Sequence, residues 1–252
     1  MERLAKIAFV IGLIVYFVFL VVVRTPAQWG AWAALQASPN LSISGVSGTL
    51  WSGKASTAQV NLGTETLDLG TLSWRLDAWK LLLLQACVDV DSTMVRGYVC
   101  RSLGGKNSAK NVLVDQVPMK LLDNVIGAQL GGVGNLTVEQ GTFADNGRID
   151  QLKGNVTWQH ARINAGTGWF ALGSYAADIT GNDKGGIAGN IFDLEGNFSV
   201  QLQGDYTPGE QPRLNGIIKP KEGAEQPLID ALSVFTETQD DGSFRVTWPM
   251  GG

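Results

Sequence analysis

The feature that most constrains this chain is an uninterrupted apolar run near its start. Ile7 to Val23 is 17 residues with no charged or strongly polar side chain, and Lys6 and Arg24 bracket it. As a helix it spans about 25 Å at ~1.5 Å per residue, enough for a bilayer core with snorkelling ends. A cleaved signal peptide is the alternative, but its apolar stretch is about 7–15 residues and a small-residue cleavage site follows promptly. Here Arg24 follows, and the A-x-A match Ala31-Trp32-Ala33 lies well beyond it. The run is therefore expected to be an uncleaved transmembrane helix, residues 7–23, in contact with membrane lipid. Arg3 and Lys6 precede it, and no Lys or Arg occurs between Arg24 and Lys54. Basic residues stay on the cytoplasmic side. Residues 1–6 are thus expected to be a cytoplasmic tail and residues 24–252 an exported β-rich domain.

Without residues 1–24, which carry Arg3, Lys6 and Arg24 against Glu2, the chain holds 16 basic and 22 acidic residues. An acidic domain lacking a basic stripe argues against nucleic acid as a partner. Cys87 and Cys100 are the two cysteines. They flank Asp91-Ser92-Thr93, a candidate turn between alternating segments. In an oxidising compartment this spacing predicts a disulfide across a hairpin. Two thiols with no histidine partner are a poor metal site.

The fold expected is mainly β: a curved antiparallel β-sheet domain with a few short helices, preceded by the transmembrane helix. Ala58, Val60 and Leu62 alternate with polar residues, as do Leu67 and Leu69, then Leu72, Trp74 and Leu76. The phase slips at Gly70-Thr71, which predicts a bulge or bend. Leu194, Phe198, Val200 and Leu202 suggest one long strand, and Phe244, Val246 and Trp248 another. Gly134-Asn135-Leu136-Thr137-Val138 recurs loosely from Gly154 and from Gly196. The interval of 20 residues between the first two fits one hairpin of two strands. Helices are predicted over 26–36, with Trp29, Trp32, Ala33 and Leu35 as the apolar side, over 118–126 (Leu121, Leu122, Val125) and over 227–235 (Leu228, Leu232, Phe235). Residues 183–186, 204–212 and 219–226 are expected to be loops. Trp29 and Trp32 suit either the membrane interface or packing on the domain.

Catalytic chemistry is not visible, and the chain is expected to be non-enzymatic, with no cofactor and no metal. His160 is the sole histidine, and in a strand it is expected to be structural. No G-x-S-x-G, H-E-x-x-H or P-loop occurs. Asp89-Val90-Asp91 puts two carboxylates on one strand face, which is expected to be solvated. Asp240-Asp241-Gly242 is turn chemistry. The N-x-S/T triplets at Asn40, Asn135, Asn155 and Asn197 admit glycan attachment, but strand patterning accounts equally for the three within the repeat.

One stretch stands out. Ser44 to Ala55 reads SGVSGTLWSGKA, three glycines framing Leu50 and Trp51. Physically this is a tight turn feeding a strand that presents Leu50 or Trp51 to the core. With the N-terminal anchor, Pro26-Ala27, and the Leu72-Ser73-Trp74-Arg75-Leu76 strand followed by Trp79 and Leu81-Leu82, it resembles the type II secretion system protein N family. That resemblance covers the whole layout and is sharpest over residues 25–85. It implies a bitopic protein of the bacterial inner membrane that supports export of folded proteins, with other inner-membrane secretion components as partners. Trp29, Trp32, Trp51 and Trp74 are the interface candidates. The family also looks related to proteins with curved β-sheet grooves involved in lipid traffic. The alternative is therefore a lipid-binding or lipid-transfer module that cradles acyl chains.

Overall fold

The computed structural model describes residues 2–62, 65–164 and 168–249, without the side chains of residues 2–6, 8, 125, 126 and 235. Fifteen strands form one antiparallel sheet. The chain makes two compact units, Met1–Thr93 and Met94–Gly252.

In the first unit α1 (Glu2–Val23) precedes α2 (Ala27–Ala37), β1 (Leu41–Ser44), β2 (Ser47–Gly48), β3 (Ser52–Leu62), β4 (Glu65–Leu76), α3 (Ala78–Leu82) and β5 (Gln85–Ser92). Helix α1 begins before residue 7, so residues 2–6 continue it. Every large apolar side chain described on α1, from Ile7 to Val23, is solvent-exposed. Among the described residues no helix is long and apolar enough to cross a membrane. β4 shows the expected alternation: Leu67, Leu69, Leu72, Trp74 and Leu76 are half-buried, and Asp68, Thr71, Ser73 and Arg75 are exposed. The phase slip is real. Gly70 has φ +71, the Asp68 carboxylate accepts its N–H at 2.8 Å, and the register with β3 shifts around Ala58. Helix α3 is absent from the sequence expectation because it is a single turn. Asp77 caps it, accepting the N–H groups of Trp79 and Lys80.

The second unit contains β6 (Val95–Ser102), β7 (Lys106–Pro118), a 3-10 turn (Met119–Leu122), α4 (Asp123–Ile126), β8 (Gln129–Ala144), β9 (Ile149–Asn164), β10 (Trp169–Gly181), β11 (Ile187–Glu195), β12 (Phe198–Tyr206), β13 (Arg213–Pro220), α5 (Gln226–Phe235), β14 (Glu237–Thr238) and β15 (Phe244–Trp248). Strands pair in chain order as far as β13; β15 then joins β13, with β14 outside it.

Several expectations are corrected. The cysteine hairpin turns at Thr93-Met94, because Asp91 and Ser92 are still paired with Ser73 and Leu72. The strand expected through Leu194 to Leu202 is two strands, β11 and β12, reversing at Gly196-Asn197, and Leu194 is exposed. The helix expected over 118–126 splits into the 3-10 turn and the four-residue α4; Leu122 is 40% exposed, while Val125 lies outside the described side chains. The 20-residue repeat interval spans one 16-residue strand and a turn, so the first two copies face each other antiparallel with Leu136 opposite Val156. Their asparagines serve the sheet. Asn135 Nδ2 donates to Thr157 Oγ1 at 3.1 Å and Asn155 Nδ2 to Asp178 Oδ1 at 2.9 Å. The loops are shorter than expected, since β12 reaches Tyr206 and β13 reaches Pro220.

The clearest core lies in the second unit. Phe198, Val200 and Leu202 are buried on one face of β12. Leu228, Ile229 and Leu232 of α5 pack on them, with Ile191, Leu214, Ile218 and Val246 from neighbouring strands. Helix α5 appears where expected, although Phe235 lies outside the described side chains. Beside this core Asp193 accepts the Val200 N–H at 2.7 Å and the Lys221 ammonium at 2.6 Å. Desolvation pushes this carboxyl up, but the Lys221 and Val200 bonds outweigh it and hold it below the usual carboxylate range. Burial, with the Asp193 charge nearby, pushes the Tyr175 phenol up to about 12.

Candidate functional site

The glycine-framed stretch folds as the sharp turn between β2 and β3, with Gly48 opposite Gly53. The Thr49 N–H donates to the Ser52 carbonyl at 2.9 Å. Leu50 and Trp51 therefore sit in the turn itself, one step before the strand that was expected to carry them. Gly48 has φ +95, and a Cβ there would stand 2.6 Å from the Ser52 carbonyl oxygen and 3.0 Å from Gly53 Cα. These are backbone atoms of the paired strand, so nothing yields, and only glycine fits. At Gly53 a Cβ would run into the Trp74 ring and come within 3.0 Å of Ala27 Cβ. Its absence lets the Trp74 indole approach β3 at Gly53, beside Ala27 and Gly30 of α2.

This turn grips the end of α1. The Leu50 N–H donates to the Thr25 carbonyl at 2.8 Å. Trp51 Nε1 donates to the Val22 carbonyl at 2.8 Å, a helix-end carbonyl that also accepts the Thr25 N–H at 3.3 Å. Trp74 Nε1 donates to the Leu50 carbonyl at 3.2 Å, and the Leu76 N–H to the Trp51 carbonyl at 2.8 Å. Pro26 bridges Thr49. The two tryptophans, the turn and the ends of β3 and β4 thus form a clasp on the segment leaving α1.

Helix α2 closes it, and of the apolar side expected for it Leu35 is half-buried while Ala33 is exposed. Ala27 and Ala31 are buried, while Trp29 and Trp32 are 64% and 59% exposed. A helix backbone that approaches a sheet this closely needs small residues between them; the tryptophan face has no room there. Pro26 stands one place before the first helical residue, with β-region dihedrals.

The four tryptophans singled out by sequence divide accordingly. Trp51 and Trp74 are brought together, half-buried and hydrogen-bonded, and Trp29 and Trp32 point outward. Thr25 and Gly30, which complete the clasp, were missed, and Ala27 was noted beside Pro26 without its place against the sheet. Their signal was the small-residue spacing at 27, 30 and 31. Removing only the Trp51 donor, by Trp51→Phe, is expected to loosen the grip on α1 while the sheet stays folded. A net hydrogen bond is worth about 1 kcal/mol. Hydrogen exchange at residues 24–30 should quicken about fivefold for such a loss, with far-ultraviolet dichroism unchanged. Unchanged exchange there would show that the indole does not hold the junction.

Elsewhere the polar faces are self-neutralised. In the first unit Asp89 and Asp91 of β5 line a groove with Lys54, Ser73 and Arg75; Arg75 is directly opposite Asp89. Among the described residues no group of three or more His, Cys, Asp or Glu is placed to hold a metal ion. His160 is exposed with φ +50, and its backbone N–H donates to Ser174 Oγ at 3.3 Å. Asp241 accepts from the Ser243 hydroxyl and N–H, the turn chemistry expected. Both cysteines are engaged in the Cys87–Cys100 disulfide.

A sequentially paired antiparallel sheet, cross-linked by a disulfide and clasped to a helical N-terminal segment, defines the class of this β-sheet protein. The family model for protein N of the type II secretion system matches residues 39–247. The chain is 31% identical over 252 residues to type II secretion system protein N of Aeromonas hydrophila, covering 94% of each. It is 27% identical over 238 residues to the protein of that name from Vibrio cholerae serotype O1, covering 89% of this chain and 90% of the relative. To the Klebsiella pneumoniae protein it is 26% identical over 246 residues. The chain therefore belongs to the type II secretion system protein N family, which makes it a component of that secretion apparatus. No solved structure matches it.

Proposed function

We propose that this chain is a non-enzymatic, inner-membrane-anchored component of the type II secretion apparatus, with residues 1–6 cytoplasmic, residues 7–23 spanning the bilayer and residues 24–252 periplasmic. It supports export of folded proteins through contacts with other inner-membrane components. The observation that carries this reading is the clasp. A helix with an apolar surface exposed along its length is not left as a loose leash; Trp51 and Leu50 bind its end to the sheet. That construction suits a protein whose domain is presented at a set disposition to membrane neighbours. The outward Trp29 and Trp32 are the contact candidates, with Trp51 and Trp74 acting through the clasp.

The test is co-purification after cross-linking in cells. The unaltered chain should retain other inner-membrane secretion components, and a Trp29→Ala, Trp32→Ala variant should lose most of that yield while remaining folded. A reporter active only in the periplasm should give signal when fused after Gly252 and none before Met1. Failure to recover any apparatus protein with the unaltered chain would remove the partner assignment, and the reverse reporter pattern would remove the topology. The alternative acyl-chain reading would place lipid on Leu194, Phe198, Val200 and Leu202; α5 packs on the last three and Leu194 is exposed, and native mass spectrometry for bound lipid tests that reading.

A further inference from the structure

The single-turn helix α3 and the turn after it present a concentration of apolar surface that packing within the protein does not explain. Trp79, Leu82, Leu83 and Leu84 are 78%, 72%, 67% and 63% exposed, four large apolar side chains within six residues, and α3 buries none of its own. Isolated exposed leucines are ordinary, but a contiguous patch marks an interaction surface. The backbone adds a second observation. Leu84 has φ +59, in the left-handed region where glycine or asparagine sits at little cost and a leucine is strained. Its side chain is mostly exposed, so the protein interior gains nothing from having leucine there.

Position and charge indicate what covers the patch. Val22 of α1 accepts the Trp51 indole N–H, and the Trp51 carbonyl accepts the Leu76 N–H. Asp77, the cap of α3, is the next residue along the chain. The patch thus follows the end of β4 that is tied through Trp51 to the end of α1, and the outward Trp29 and Trp32 belong to the helix entering that same clasp. From Ala78 to Ala86 there is no acidic residue, and Lys80 is the only charge. Asp77 turns its carboxylate onto the N–H groups of α3. Tryptophan and leucine around one lysine, with no carboxylate facing outward, is the chemistry that settles at the headgroup level of an anionic bilayer.

We propose that Trp79–Leu84 is a second membrane-contact element, seated in the headgroup region of the leaflet from which α1 emerges, alongside Trp29 and Trp32. It rests on the anchoring of residues 7–23 proposed above. Two points of contact would fix the rotation of the first unit about the α1 axis, which a single helix leaves free.

The full chain reconstituted in vesicles of phosphatidylethanolamine and phosphatidylglycerol, with and without brominated acyl chains, tests this. Bromines close to the headgroups should quench tryptophan emission more strongly than bromines near the bilayer centre. Trp79→Phe should remove roughly a third of the quenched signal, the share of one among Trp29, Trp32 and Trp79. Leu82→Ser with Leu83→Ser should reduce quenching while leaving all tryptophans in place, and the high exposure of both positions spares the fold. Equal quenching of the unaltered chain and Trp79→Phe overturns the proposal. Trp79 shielded from aqueous acrylamide yet untouched by brominated lipid also overturns it, by placing a protein on the patch. Alkaline carbonate extraction reads the anchor separately. Release of the unaltered chain brings down both readings, whereas retention with Trp79 unquenched brings down this one alone.

Discussion

Replacing Phe198 by alanine is expected to destabilise the second unit by about 3–5 kcal/mol, the range for deleting a buried phenylalanine. The ring is 4% exposed, and Val200 and Leu202 beside it on β12 are 6% and 9% exposed. Leu228, Ile229 and Leu232 close over them from α5, while strands on both sides supply Ile191, Leu214, Ile218 and Val246. Neither side collapses easily into the vacated space. The strand is held by register to β11 and β13, and Asp193 ties the Val200 N–H to Lys221 just after β13. The loss is large beside the ~5–15 kcal/mol that stabilises a typical domain. It should lower the melting temperature by about 10 °C for a unit of this size, read by calorimetry on the detergent-solubilised chain. Phe198→Leu, which keeps most of the volume, should cost under about 1.5 kcal/mol. A loss below about 1 kcal/mol for the alanine variant would mean that α5 does not seal this face.

Removing the disulfide is the second large effect. Cys87→Ala with Cys100→Ser should cost about 3 kcal/mol, the chain-entropy value for a loop of that size. Alanine is the replacement of choice at position 87 because Cys87 is fully buried; a serine hydroxyl there would add a desolvation penalty of about 1–3 kcal/mol if left unpartnered. The sheet order places β5 and β6 inside the sheet, not at an edge, so the bridge does not protect a free edge strand. Its loss should appear as lower melting and faster proteolysis near residues 85–102, with strand content retained. Full alkylation of both thiols in untreated, denatured protein would show that the bond is absent, and the inference of an oxidising compartment would fall with it.

Both predictions concern features whose residue types were visible in the sequence and whose packing was not. Phe198, Val200 and Leu202 alternate, which announces an apolar strand face. Leu194 has the same character, and only the reversal at Gly196-Asn197 moves it to another strand and into solvent. Helix α5 was recognisable from Pro227 and its leucine spacing. That it packs on Phe198, Val200 and Leu202 of β12 follows from contacts about thirty residues apart along the chain. The β4 slip was legible because a bend at Gly70 changes the phase of its own neighbours, a local effect.

At the clasp the division is sharper. Trp51 was conspicuous among glycines and Trp74 in an alternating strand, but neither residue type nor spacing says that one indole reaches the end of α1 and the other a turn carbonyl. Helix α2 was placed correctly, and of the two settings open to Trp29 and Trp32 the structure leaves them facing outward. Hydrophobicity favours Trp29 and Trp32 as the inner side, whereas close approach to β3 favours Ala27 and Ala31, and sterics prevails. Helix α3 is too short to show a periodicity, although Asp77 was a usable capping signal.

The sequence by itself determined the β class of the fold, the alternating faces of its strands, most helix positions and the two cysteines available for pairing. These follow from short-range rules: side-chain period, capping, and the residues that turns tolerate. Only the tertiary structure decided which face of α2 is inward, which apolar residues share the core under α5, and which carbonyls the indoles of Trp51 and Trp74 reach. Those outcomes depend on volumes and hydrogen-bond partners brought together from distant parts of the chain. A pattern of hydrophobicity along one segment carries no information about the shape of the segment it will meet.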